Sequence, residues 1–241
     1  LVQDVTRSRI AEDEKKACVE RALNRVDDYP RGNPLEVRNW SKWEAIQSHV
    51  ACVAGFADES GGEVTIRLLG GLATYYREKA MYRESEPLDR RALEITETIH
   101  GNDHPEFAKH LNNLGQLLQA TNRFEEAEPL MRRAFQIDEQ SFGEDHPKVA
   151  IRLNNLALLL HDTNRLGEAE PLMRRALAID EQSFGTDHPN VEVVLNNLAW
   201  LLKETNRFAE AEPLMRRALE IDAQSFGEDH PKVAIRLHNL A

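Results

Sequence analysis

Histidine recurs at 104, 146, 188 and 230, each time between an aspartate and a proline and each time 42 residues from the last. A row of imidazoles invites a metal-binding reading, because neutral imidazole is the commonest metal ligand. The spacing argues against it. One histidine comes per repeat, and packed helices stand roughly 10 Å apart, whereas zinc holds its nitrogens at about 2.0–2.1 Å. These histidines are read instead as helix-start residues beside a proline. The abundant acids recur with the same period, which marks a solvated face rather than a catalytic pair. Cys18 and Cys52 stand alone and far apart, unlike a disulfide framework or a zinc knuckle, and suggest a reducing, cytoplasmic setting. No G-x-x-x-x-G-K-[ST], no G-x-G-x-x-G and no H-E-x-x-H occurs. The residue types therefore predict no catalytic centre, no cofactor and no metal, and they direct attention to binding surfaces.

The elements that position these residues follow from the period. Segment 141–157, SFGEDHPKVAIRLNNLA, returns at 225–241 with His238 in place of Asn154 as its one change. A fixed period of this length means stacked supersecondary units rather than one globular core. Within residues 145–185, Pro147 suits the first position of a helix, where its missing N–H costs nothing. Val149, Leu153, Leu156, Ala157 and Leu160 then follow at helical spacing. Thr163-Asn164-Arg165 is a short polar turn. A second helix runs from about Leu166 to Phe184, with Ala169, Leu172, Met173, Ala176, Leu177 and Ile179 inward and Gly185 as a left-handed cap. Glu128/Arg132, Glu170/Arg174 and Glu212/Arg216 are acid-first pairs at i,i+4. Small residues recur where helices must close up: Ala157, Ala169 and Ala176, then Ala199, Ala211 and Ala218, and before them Gly115, Ala127 and Ala134.

This pattern resembles the tetratricopeptide repeat, with a unit of 42 rather than about 34 residues. The spellings L-N-N-L-A, E-A-E-P-L, R-A-L and G-x-D-H-P are similar to the kinesin light chain class of that family. The resemblance implies an all-α, right-handed superhelix of helix hairpins. Residues 104–241 would hold three full repeats and the first helix of another. Residues 61–103 read as a degenerate first repeat, in which Gly70-Gly71 replaces the asparagine pair, Ser85 an alanine and Asp89 Met131. Leu1 is not an initiator methionine and Ala241 falls inside a repeat, so a longer parent chain is expected.

Residues 1–60 do not fit the repeat. Leu1 to about Asp28 reads as helix, 29–34 as a turn, 40–50 as helix and 58–62 as a linker. Trp40 and Trp43 have two readings. They could plug the open end of the stack, since terminal repeats need caps. Alternatively, LVQDVTR at 1–7 with W-x-x-W-E-x-x-x-x-H-V at 40–50 resembles the winged-helix junction of STAND-class signalling NTPases of the NB-ARC type. That resemblance implies a ligand-sensing or autoinhibitory arm acting on other domains of its own chain.

Charge and hydropathy narrow the partner. The chain carries a formal charge of −11 and has a mean hydropathy of −0.55. A net negative body disfavours nucleic acid or an anionic membrane as partner, and no apolar run is long enough to span a bilayer. In the tetratricopeptide fold the first helix of each repeat lines the inside, which implies a peptide-binding groove. By register its inward positions are Lys109, Asn112, Asn113, Gln116 and Gln119 in one repeat. The next offers Ile151, Asn154, Asn155, Leu158, His161 and Asp162, and the one after it Val193, Asn196, Asn197, Trp200, Lys203 and Glu204. Ile235, His238 and Asn239 complete the set. A ladder of amides, each both donor and acceptor, can bond the backbone of an extended peptide. The same amides could instead bond neighbouring helices and set the stack. Trp200 is either an apolar anchor for the ligand or a residue buried between repeats. The expected function is recognition of a protein or extended peptide, without catalysis. A free-standing adaptor and the interaction domain of an enzyme fused elsewhere are the alternatives.

Overall fold

The computed structural model describes residues 17, 21–22, 24–28, 32–56, 62–228 and 230–240, and of residues 51–56, 232 and 238–240 it describes the backbone alone. The helix expected over 1–28 falls mostly outside the described residues, although 24–27 are helical. Among the described residues the regular elements are all helical. A 3-10 turn at Val37–Asn39 leads into α1 (Trp40–Phe56). There follow α2 (Gly62–Glu78), α3 (Tyr82–His100), α4 (Pro105–Ala120), α5 (Phe124–Phe142) and α6 (Pro147–Asp162). The last are α7 (Leu166–Phe184), α8 (Pro189–Glu204), α9 (Phe208–Phe226) and α10 (Pro231–Leu240). Gly62, expected in a linker, opens α2.

The chain divides into two compact units, Leu1–Arg123 and Phe124–Ala241. In the first unit α1 packs on α2, α2 pairs with α3, and α4 packs on α3. In the second, α5 packs on α6, α6 pairs with α7, α7 packs on α8, α8 pairs with α9, and α10 packs on α9. This is the expected array of consecutive helix hairpins.

The Asp-His-Pro signature starts the first helix of each pair. His104, His146 and His188 are N-caps with extended backbones, and in each the ring Nδ1 accepts a 3.1 Å hydrogen bond from the backbone N–H two residues on. The acceptor nitrogen satisfies one of the amides that a helix start leaves open. Each ring also stacks on the end of the preceding helix: His104 on His100, His146 on Phe142, His188 on Phe184 and His230 on Phe226, at 4.5–4.8 Å between centroids. The imidazoles are thus occupied at four separate helix starts.

The polar turn is also built. Thr121, Thr163 and Thr205 donate their hydroxyls to carbonyls of the last turn of the preceding helix. Asn122, Asn164 and Asn206 take φ of +59°, which asparagine tolerates better than most side chains. The glycine ending the second helix differs from the left-handed cap expected. Gly185 has φ +85° and ψ 164°, an extended positive-φ conformation essentially closed to other residues, and its N–H donates to the Glu181 carbonyl. All the small residues expected at helix crossings are buried, from Gly115 to Ala218.

In the first unit the two tryptophans of α1 pack against α2. Trp43 is 2% exposed and stacks on Tyr75, 6.4 Å away between centroids and 18° from parallel. The indole N–H groups of Trp43 and Trp40 donate to the carbonyls of Gly32 and Pro34. A Cβ at Gly71 would lie 2.3 Å from the Trp43 ring, so the glycine that breaks the asparagine pattern makes room for that ring.

Candidate functional site

The first helices of the hairpins carry the candidate residues; apolar cores pack them, and ion pairs link them to their neighbours. Glu128 accepts from Arg132 on its own helix at 2.6 Å and from Arg165 of the next turn at 2.7 Å. Glu170 does the same with Arg174 and Arg207, and in the first unit Glu86 with Arg90 and Arg123. Partial burial works against ionisation at Glu170, but the two guanidiniums hold its carboxyl below the usual carboxylate range. The arginine of each turn therefore joins one hairpin to the helix before it.

Deeper pairs orient the inner helices. Arg152 of α6 donates to the fully buried Asp138 of α5 at 2.7 Å. Arg236 of α10 donates to Asp222 of α9 at 3.0 Å, to Asn196 at 2.6 Å and to Glu192. Asp180 occupies the equivalent place on α7, but Val194 stands where the arginine would be. Burial pushes the Asp180 carboxyl up to about 6, against the pull of the nearby His188. Sequence reasoning missed these residues. A signal was present: Asp and Arg 14 residues apart recur at 138/152 and 222/236 and fail at 180/194.

In the second unit, α6 and α8 present one face with mixed chemistry. Ile151, Val193 and Trp200 are 51%, 49% and 48% exposed, while Leu158 is half-buried. Asn155, Asn196, Asn197 and Lys203 are half-buried beside them. Asn154 and His161 are buried. The Asn197 side-chain amide N–H donates to the Asn154 side-chain Oδ1 at 3.0 Å, so these two amides bridge α6 and α8. The ring of His161 packs on Trp200 with centroids 4.4 Å apart, and its Nε2 lies 2.8 Å from a Glu204 carboxylate oxygen. A cleft of about 580 Å³ beside Trp200 is lined by Asn196, Lys203, Glu204, Phe208 and Met215.

The first unit has a different inner face. Between α2 and α4 lies a cleft of about 380 Å³, bordered by Arg67, Gly70, Thr74, Lys109, His110 and Asn113. Lys109 is exposed and donates to Glu106, Gln116 is half-buried and Asn112 is buried. Arg67 pairs with Asp27. His110 is buried, neither ring nitrogen has a hydrogen-bond partner among the described residues, and burial pushes its pKa down to about 4, with Lys109 adding to the effect. The neutral ring sits over Gly70, where a Cβ would come within 3.2 Å of it. The side chain of Asn239 lies outside the described residues.

The face thus joins exposed apolar side chains to paired amides on stacked first helices. The tetratricopeptide repeat profile matches residues 64–140, 106–182 and 153–224, and the chain belongs to the tetratricopeptide repeat family. Arrays of this family generally bind proteins or peptides. Among solved structures the fold is similar to BtubC (BKLC) from P. vanneervenii, at 21% identity and a TM-score of 0.67, over 91% of this chain and 93% of that one. It is also similar to a putative kinesin light chain from Podosopora anserina with nearly identical TPR-like repeats, at 18% identity and a TM-score of 0.61, over 89% and 96%. The apo form of RapI aligns at 16% identity and a TM-score of 0.64, over 81% of this chain and 52% of RapI. At such identities the likeness is one of fold. No curated protein matches the chain. Among the described residues no helix is long and apolar enough to cross a membrane.

Proposed function

We propose that this chain is a non-catalytic scaffold that recognises a protein or an extended peptide on the inner faces of its first helices, in a cytoplasmic setting. The observation that carries this reading is Trp200, a large aromatic left half exposed on the α6/α8 face, one turn from Asn197 of the Asn154–Asn197 pair. A rigid aromatic on a wet face is the kind of side chain on which binding energy concentrates. Asn113, Asn155 and Asn197 stand at equivalent positions on α4, α6 and α8 and are half-buried, so each keeps part of its side chain toward solvent. The Asn197–Asn154 bond also supports the stack-setting role for that pair.

The finer context, an arm of a STAND-type NTPase, rests on the spelling of residues 1–7 and 40–50 alone. Residues 1–7 lie outside the described residues, and Trp40 and Trp43 pack against α2. Should the parent chain carry such a module, the groove variant below would lose its response to the trigger and keep nucleotide binding.

The test is a selection of peptides from a random display library on the intact chain. Each lost hydrogen bond that strands a peptide group costs about 1–3 kcal/mol, so Asn155→Ala with Trp200→Ala should weaken the selected peptides at least tenfold at unchanged helical content. Peptides that bind this variant as tightly as the parent chain would place recognition elsewhere.

A further inference from the structure

The α6/α8 face differs in kind from the equivalent positions of the first unit. Where α2 and α4 carry Arg67 and Lys109, α6 and α8 carry Ile151 and Val193. Seven residues on, Thr74 and Gln116 give way to Leu158 and Trp200. Residues seven apart lie on one side of a helix after two turns, and α6 and α8 touch. The four side chains therefore form one apolar strip, of which Ile151, Val193 and Trp200 are about half exposed.

One end of the strip is acidic. Asp162 and Glu204 follow Leu158 and Trp200 by one turn, and each side chain is 40% exposed. They sit at the C-terminal ends of α6 and α8, where the helix dipole adds partial negative charge. His161 lies between them, 3.5 Å from Asp162 and 2.8 Å from Glu204, and Lys203 is the half-buried cation nearby. The whole unit is negative, with 21 Asp and Glu against 13 Lys and Arg over residues 124–241.

We infer that the occupant of this face is a cationic amphipathic segment of a partner protein. Its aliphatic or aromatic side chains cover the strip, and an arginine or lysine reaches the Asp162/Glu204 end. The inference rests on the peptide-binding reading above and adds the chemistry of the ligand. Apolar contact supplies the affinity, and charge complementarity supplies the choice of partner and the association rate.

The test uses the intact chain labelled with 5-fluorotryptophan, whose three tryptophans give three fluorine signals, with Trp200 assigned through Trp200→Phe. Three nine-residue peptides serve as probes: alternating Leu and Arg, alternating Leu and Glu, and alternating Ser and Arg. The Leu/Arg peptide is expected to shift the Trp200 signal and leave Trp43 in place, with the other two at least tenfold weaker. Val193→Ser should weaken it tenfold, and Asp162→Asn with Glu204→Gln should weaken it and flatten its salt dependence. Equal binding of the Leu/Glu peptide at Trp200 would overturn the cationic assignment and leave peptide recognition standing. Equal binding of the Ser/Arg peptide would overturn the role of the strip. If no peptide moves the Trp200 signal, the inference and the reading beneath it both fall.

Discussion

At the residue scale, Asp180 is a point where the repeat departs from its own Asp–Arg pairing. Its counterparts Asp138 and Asp222 each meet an arginine, whereas Asp180 is 5% exposed and has Val194 at the register position of that arginine. An ionised carboxylate buried without its partner is destabilising. Its folded pKa of about 6 lies above the ordinary value of about 3.9. The folded chain therefore holds the proton more tightly than the unfolded one, and this residue's contribution to stability falls as pH rises between about 4 and 6. One pKa unit corresponds to about 1.4 kcal/mol, and solvent near the carboxylate reduces the effect. Asp180→Asn should then be about 1–2 kcal/mol more stable than the parent chain at neutral pH, with the advantage gone near pH 4. Urea denaturation at the two pH values decides it; an equal advantage at both would remove ionisation as the cause.

At the scale of elements, close approach sets the tolerances. Gly71→Ala would gain up to about 1 kcal/mol of helix propensity. It would also place a methyl 2.3 Å from the buried Trp43 ring, which is stacked on Tyr75 and has nowhere to retreat. Overpacking costs about 1–3 kcal/mol, so the clash wins. The variant should be less stable, with Trp43 fluorescence shifted toward that of a wetter indole. The same reasoning ranks two neighbours on α7. Ala176 is fully buried against Val149, Leu153 and Ile179, so Ala176→Leu should cost about 1–3 kcal/mol. Arg174 is exposed and pairs with Glu170 and Glu210, so Arg174→Ala should stay within about 1 kcal/mol. Equal losses at the two positions would show that the helix faces are misassigned.

At the scale of the whole molecule, stability is spread over repeated helix pairs, each packed on the next within its own unit. The recurring histidines contribute through caps and ring stacks, with Nδ1 of His104, His146 and His188 already accepting a backbone N–H. Folding should therefore be indifferent to chelators. Thermal melts with and without excess EDTA should agree within about a degree, and a fall of several degrees would mean that a metal holds part of the array.

Much of this was settled locally. The 42-residue period, the Pro at each helix start, the Thr-Asn-Arg turn and the small residues at 169 and 176 determine hairpins by themselves, because capping, turn geometry and helical spacing act within a few residues of the chain. So did the assignment of the acid-first pairs at i,i+4. What Gly70 and Gly71 are for was decided by the tertiary structure, since their partners, His110 and Trp43, lie on other helices. The destination of the asparagines was decided there too. Asn112 and Asn154 read the same as Asn113 and Asn155 in sequence, yet one of each pair turns into the stack and is buried while its neighbour keeps partial access to solvent. Burial depends on how adjacent helices rotate against each other, and no local rule encodes that rotation. Hence the exposed strip of Ile151, Val193 and Trp200, apolar residues that periodicity marks simply as inward, emerges only once the helices are packed.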